Sequence, residues 1–193
     1  MSRAANSPLI SAHISATIII KEGSDPSVKE IFSRRSIRKF TGEPVHAEQL
    51  EKLLRAAMNA PSACNEQPWE FVVIRDREIF REIRRFQRFS APLNTADLAI
   101  VVCGDTTRQR FDGFWVQDCS AATENLLLEA EYLGLGAVWM GLHPIKLWTD
   151  RTKALLGLPE QVMPLGIIAV GHPDEHPEPA DRYLPERVHF DRW

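Results

Sequence analysis

The sequence predicts an α/β or α+β class, with a sheet covered by helices. Three observations carry that class. Apolar runs of strand length recur at residues 69–74, 97–103, 137–140 and 163–171. Segments with helical apolar spacing separate them. Glycine and proline stand at the junctions, as in Gly42-Glu43-Pro44 and Gly134-Leu135-Gly136. No internal repeat is present, and 193 residues suit one domain of ordinary size.

Each element follows in chain order. Residues 1–26 are polar, rich in Ser and Ala and weakly patterned, so they read as a loosely attached extension. A short strand is expected there at Thr17–Ile20, and the main domain over residues 27–193. Asp25-Pro26-Ser27 marks a helix start, with Val28, Ile31 and Phe32 at helical spacing behind it. Ser36–Phe40 leads into the turn at 42–44. A second helix begins near His46. Its stripe of Leu50, Leu53, Leu54 and Ala57 stops before Pro61. A loop over 61–68 precedes a buried strand, Trp69–Ile74. Asp76–Phe89 reads as a highly charged helix, and Asp97–Cys103 as a second buried strand closed by Gly104. The strongest helical pattern runs from Phe114 to Leu133. It turns Val116, Cys119, Ala122, Leu126, Ala130 and Leu133 toward the core. Gly134 ends it. A strand at Ala137–Met140, a helix at Ile145–Leu155, a strand at Met163–Gly171 and a Pro-rich tail complete the chain.

Composition removes several classes of function. Hydrophobic residues are 44% and charged residues 25%, which excludes wholesale disorder, a collagen-like repeat and a membrane bundle. The net charge of −3 argues against a general nucleic-acid binder. Cys64, Cys103 and Cys119 form no C-x-x-C pair, so neither a zinc site nor a disulfide framework is expected. Reduced thiols fit a cytoplasmic protein. The apolar stretch Ile14–Ile20 is broken by Ser15 and Thr17, and is read as neither a signal peptide nor a membrane span. The six histidines are scattered, and no metal site is expected. A chain of 193 residues has little room for separate cofactor and substrate domains. Any cofactor site should therefore be small or shared between subunits.

Four groups of residues could carry chemistry. Arg34-Arg35-Ser36-Ile37-Arg38 places three guanidiniums and a hydroxyl within five residues. Arginine grips phosphate in a bidentate way. If helix geometry is lost at Ser36, the alternate residues Arg34, Ser36 and Arg38 could converge on one anion; a solvated charged turn is the competing reading. The loop Pro61-Ser62-Ala63-Cys64-Asn65-Glu66-Gln67-Pro68 carries amides that can read a ring edge presenting both donors and acceptors. Its alternative is a self-bonded turn. Gly134-Leu135-Gly136-Ala137-Val138-Trp139-Met140-Gly141 has glycines after a helix and before a strand, the reverse of a dinucleotide-binding turn. Finally, Arg75, Arg77, Arg81, Arg84, Arg85 and Arg88 are interleaved with Glu78 and Glu82. That pattern reads as a solvated face with i,i+4 pairing, and more weakly as an attractor for a dinucleotide.

Taken in this order, the segments resemble the nitroreductase family of FMN-dependent oxidoreductases. The resemblance spans about residues 27–193. It rests on Arg34 to Phe40, on Ala60 to Trp69, on Gln117-Asp118, on Gly134 to Gly141, and on Val170-Gly171-His172-Pro173 with the tail that holds Arg182. Ala63 stands where a second serine is common, and His172 where tyrosine is common. The stretch between Gly104 and Trp115 is short, which leaves a substrate lid undefined.

The resemblance implies an α+β nitroreductase-like fold: a central, mostly antiparallel sheet flanked by helices, in an intertwined homodimer with FMN at the interface. It implies that Arg34, Ser36 and Arg182 hold the FMN phosphate, with Arg35 lining the same end and Arg187 a second candidate from the tail. Arg38 would approach the N1–O2 edge of the flavin. Pro61, Ser62 and Asn65 would come from the other subunit, with Gln67 in the same segment. Trp139, Met140 and Gly141 would pass backbone along the ring. The implied activity is reduction of nitroaromatic, quinone or similar electron-poor small molecules by NAD(P)H, in a ping-pong cycle. The chemistry belongs to the cofactor, so no catalytic side chain is named. Two alternatives share the same site: dehalogenation or flavin fragmentation, and a non-catalytic flavin-binding dimer. Neither nucleic acid nor membrane is an expected partner.

Overall fold

The computed structural model describes residues 28–193. The extension at 1–26, its expected strand and the Asp25-Pro26-Ser27 helix start lie outside the described residues. Helix α1 occupies Lys29–Ser33. It is followed by α2 (Ala47–Met58), β1 (Trp69–Ile74), α3 (Arg77–Phe86), β2 (Leu98–Asp105), α4 (Phe114–Tyr132), β3 (Gly136–Gly141), α5 (Lys146–Leu156) and β4 (Val162–Gly171). The four strands form one antiparallel sheet in the order β1-β2-β4-β3. The fold is α+β, with helices on both faces.

Period-two alternation in β2 explains why its sequence reads as a continuous apolar run. Leu98, Ile100 and Val102 face a core built with α2 and α4. Ala99, Val101 and Cys103 face a second core with Phe80 and Ile83 of α3. A strand covered on both faces must be apolar at every position, whichever way its neighbours run. β2 also continues beyond its expected end. Gly104 and Asp105 pair with Met163 and Val162, past a register shift between Val102 and Cys103. Gly104 lies under Trp115; a Cβ there would meet Trp115 Cε3 at 2.5 Å.

Helix α4 buries Trp115, Cys119, Ala122, Leu126, Leu127 and Ala130. The expected inward residues Val116 and Leu133 are only half-buried against this core. In α3, Asp76 Oδ1 accepts the Glu78 N–H at 2.8 Å and starts the helix. The helix ends at Phe86, three residues earlier than the charge pattern suggests, because Gln87 leaves helical geometry. Its surface pairing is i,i+3 rather than i,i+4: Arg81 with Glu78 and Arg85 with Glu82. Arg75 pairs with Asp97, and Arg77 donates to the Ala96 carbonyl at 2.7 Å. These two arginines brace the entry to β2, so the basic stretch does not act as one face.

Candidate functional site: an open strand edge beside unpaired cations

The site forms along β3, which is an edge strand. Ser36 makes a single parallel bridge to Ala137, and the Ile37 N–H donates to the Ala137 carbonyl at 3.0 Å. Gly136 permits this approach; a Cβ there would meet Ile37 Cγ2 at 2.7 Å. The segment then leaves the sheet. Phe40 bridges Pro173, and the Asp174 N–H donates to the Lys39 carbonyl at 2.9 Å. Glu175 Oε1 accepts the Arg38 N–H at 2.5 Å.

The pleat decides what β3 offers. Because the Ala137 carbonyl points outward, Trp139 and Gly141 point outward too, while Val138 and Met140 bond to β4. The Gly141 carbonyl accepts from Gln87 Nε2 at 3.0 Å. The Trp139 N–H and carbonyl and the Gly141 N–H are left on the outer edge. They border a cavity of about 800 Å³, whose walls include Arg38, Lys39, Arg88, Phe89, Pro92, Val138, Met140 and Glu175. Among the described residues, no carboxylate forms an ion pair with Arg38, Lys39 or Arg88. The cavity therefore combines an apolar wall, open backbone groups and a surplus of positive charge. Trp139 lies across Gly166, where any Cβ would collide with the indole.

Arg34, Arg35 and Arg182 meet elsewhere. They line a smaller cavity of about 260 Å³ with Ile31, Phe32 and Tyr183. Arg34 Nε lies 3.4 Å from Glu124 Oε1. Arg35 Nε donates to the Glu178 carbonyl at 3.0 Å and so tacks the tail down. Its Nη2 is buried without a hydrogen-bond partner among the described residues. Arg34, Ser36 and Arg38 thus do not converge on one point. The extended segment places Arg34 in one cavity and Arg38 in the other, with Ser36 at the bridge between them. Four residues of extended chain span at most about 14 Å.

The loop at 61–67 reaches neither cavity. The Ala63 N–H donates to Asp118 Oδ1 at 2.9 Å, which pins the loop to α4. The Gln67 N–H donates to Ser62 Oγ at 3.0 Å, and Gln67 Nε2 to Asn65 Oδ1 at 3.1 Å. Cys64, Asn65 and Gln67 all have positive φ, at 49°, 57° and 49°. Left-handed non-glycine residues cost about 1 kcal/mol or more each, so this shape is held against its local preference. Pro61 precedes the loop. The self-bonded turn and the strained loop are one object.

The thiols line neither cavity. Burial pushes Cys103 and Cys119 up to about 12. Cys64 is exposed. Thr107, through its hydroxyl and N–H, holds Asp105 below the usual carboxylate range.

Sequence reasoning named Arg88 only within the basic stretch that could attract a dinucleotide, and missed Phe89, Glu175 and Gln87 as parts of this site. Gln87 had a signal. It stands four residues after Ile83 and seven after Phe80, on the buried stripe of α3. A polar residue in an apolar register asks for an internal partner.

Comparison with known proteins assigns the family. The model of the Nitroreductase family matches residues 31–106 and 89–172. A Methanothermobacter thermautotrophicus protein provisionally named NADH dehydrogenase/NAD(P)H nitroreductase is 41% identical over 95% of this chain and 97% of its own. The chain belongs to the nitroreductase family. Solved structures agree with this nitroreductase fold. One is a provisionally named NADH dehydrogenase/NAD(P)H nitroreductase from Parabacteroides distasonis. It is 38% identical, with a TM-score of 0.84 over 88% of this chain and 100% of that one. Another is the Vibrio harveyi NADPH:FMN oxidoreductase complexed with NAD+. It is 29% identical, with a TM-score of 0.78 over 88% of this chain and 78% of that one. Among the described residues of this nitroreductase, no helix is long and apolar enough to cross a membrane.

Proposed function

We propose that this nitroreductase is an FMN-dependent oxidoreductase that uses NAD(P)H to reduce nitroaromatic, quinone or similar electron-poor small molecules. The observation that carries the reading is Arg38, a cation without an ion pair among the described residues, beside the open outer edge of β3. The residues fit the cofactor. Arg34, Arg35 and Arg182 form a cationic cradle suited to its phosphate, and the buried Nη2 of Arg35 is a donor with no acceptor among the described residues. Ser36 lies between that cradle and the ring cavity. Trp139, Met140 and Gly141 present backbone to the ring.

FMN, when bound, supplies the hydride chemistry. The protein supplies orientation and charge. Arg38 stabilises negative charge at the N1–O2 edge, and arginine suits the task because it stays protonated. The outward N–H groups of β3 orient the ring by hydrogen bonding. No side chain need exchange a proton.

The reading includes a homodimer in the cytoplasm, with Pro61, Ser62, Asn65 and Gln67 completing the partner's site. Two observations support this. The loop at 61–67 is held in a strained shape that serves neither cavity of its own chain. Val28, Ile31, Phe32, Met58 and Tyr132 are each at least 50% exposed, in and next to α1 and at the ends of α2 and α4. Exposed apolar side chains gathered in this way, Val28 with Tyr132 in one hollow and Ile31 with Phe32 in another, mark an interaction surface.

The test is direct. Purified protein should take up FMN, turn yellow, and bleach under NADPH or NADH without oxygen. Reoxidation by a nitroaromatic or a quinone should follow. A colourless protein that takes up no FMN overturns the reading.

A further inference from the structure

We propose that Gln87 is a positioning residue for the flavin ring, acting through the carbonyl of Gly141. This rests on the reading of the large cavity as the flavin site. Gln87 is 1% exposed, although it lies at the C-terminal end of a highly charged helix. Both ends of its carboxamide are engaged: Nε2 donates to the Gly141 carbonyl, 54 positions away, at 3.0 Å, and Oε1 accepts the Phe89 N–H at 2.5 Å. The second bond fixes the first. A backbone N–H can only meet the amide oxygen, so the amide nitrogen must face Gly141. Gln87 also departs from helical geometry to reach this place, and its own carbonyl accepts from Ser90 Oγ.

The position of this bond gives it a consequence for the cofactor. An unpaired edge strand presents alternating N–H and carbonyl groups. At Gly141 the outward carbonyl would be a negative dipole end beside the ring cavity. Gln87 occupies it and leaves the Gly141 N–H as the open group. The Leu142 N–H of the same peptide donates to the Leu165 carbonyl at 3.0 Å, so without Gln87 the Gly141 carbonyl would stay on the outer edge with no partner. The same carboxamide holds the backbone of Phe89, which also lines the cavity. One buried group therefore ties two parts of the cavity wall together and sets which dipole end the Gly141 edge leaves open. A freed carbonyl would disfavour reduced FMN, which carries extra negative charge, more than oxidised FMN.

The test measures affinity for oxidised and for reduced FMN, by anaerobic fluorescence titration, in wild type, Gln87→Met and Gln87→Leu. Methionine fills a similar volume without hydrogen bonds. Leucine likewise lacks the donor to Gly141 and adds no charge beside the cavity. Both variants should lose about tenfold in affinity for reduced FMN and about threefold or less for oxidised FMN. The melting temperature of the flavin-free protein is recorded beside each titration. Equal losses for the two forms, or none, overturn the proposal and leave Gln87 a structural residue. Failure of wild type to bind FMN would instead overturn the functional reading. If Gln87→Met does not fold, the Gln87→Leu titration decides alone.

Discussion

At the scale of single residues, charge placement separates the arginines that hold structure from those free to hold a ligand. Arg75 and Arg77 are engaged with Asp97 and with backbone carbonyls, whereas the Arg38 guanidinium donates, among the described residues, only to the Ser36 carbonyl, at 3.2 Å. Arg38→Ala should therefore leave the melting temperature nearly unchanged while lowering the flavin potential and slowing reduction by NAD(P)H. Spectroelectrochemical titration and stopped-flow reduction check both. An unchanged potential would remove Arg38 from the N1–O2 edge. Arg34→Ala should weaken FMN retention by about 1.5–3 kcal/mol, the worth of a charge-assisted hydrogen bond, as read by ultrafiltration of the holoprotein. The thiols give a third expectation. Cys103 and Cys119 are raised from 9.0 to about 12, so the folded state holds protons that the unfolded chain releases. Their contribution to stability is full below pH 9 and is lost as pH rises toward 12. Urea midpoints at pH 8 and pH 10 should differ less in a Cys103→Ala/Cys119→Ala variant than in wild type. A thiol reagent should label only Cys64 quickly before denaturation.

At the scale of elements, period and punctuation made most of the fold legible. Trp69–Ile74 is the strand its apolar run predicts, to the residue. The second helix begins one residue past His46 and ends three before Pro61. Where boundaries moved, a distant partner moved them. β2 lengthens because β4 offers Met163 and Val162 as partners for Gly104 and Asp105. α3 shortens because Gln87 bonds to a strand 54 positions away. Neither partner is visible in a local window. Close packing of glycine against tryptophan is likewise a tertiary fact. Gly104→Ala forces a methyl group against the Trp115 ring and should destabilise by about 1–3 kcal/mol, seen as a lower urea midpoint with an unchanged slope.

At the scale of the molecule, the residues that resemble the family fall into three places rather than one. The cradle of Arg34, Arg35 and Arg182 and the cavity of Arg38 and β3 lie along one extended segment, while the 61–67 loop is tied to Asp118 on α4. The site proposed above, split between two chains, would account for that separation. FMN retention should thus fall when the protein is diluted until the dimer dissociates, and retention by a monomer from size exclusion would contradict it. The sequence alone determined the alternation of strands and helices, the doubly covered sheet and the family, because apolar period and turn chemistry are local properties. Only the tertiary structure decided that the sheet is antiparallel throughout, that Arg34 and Arg38 serve different cavities, and that Gln87 caps the edge beside them. The physical reason is common to all three. Strand pairing, cavity lining and the satisfaction of a buried amide depend on partners far away in sequence, and no spacing along the chain encodes which partner will be met.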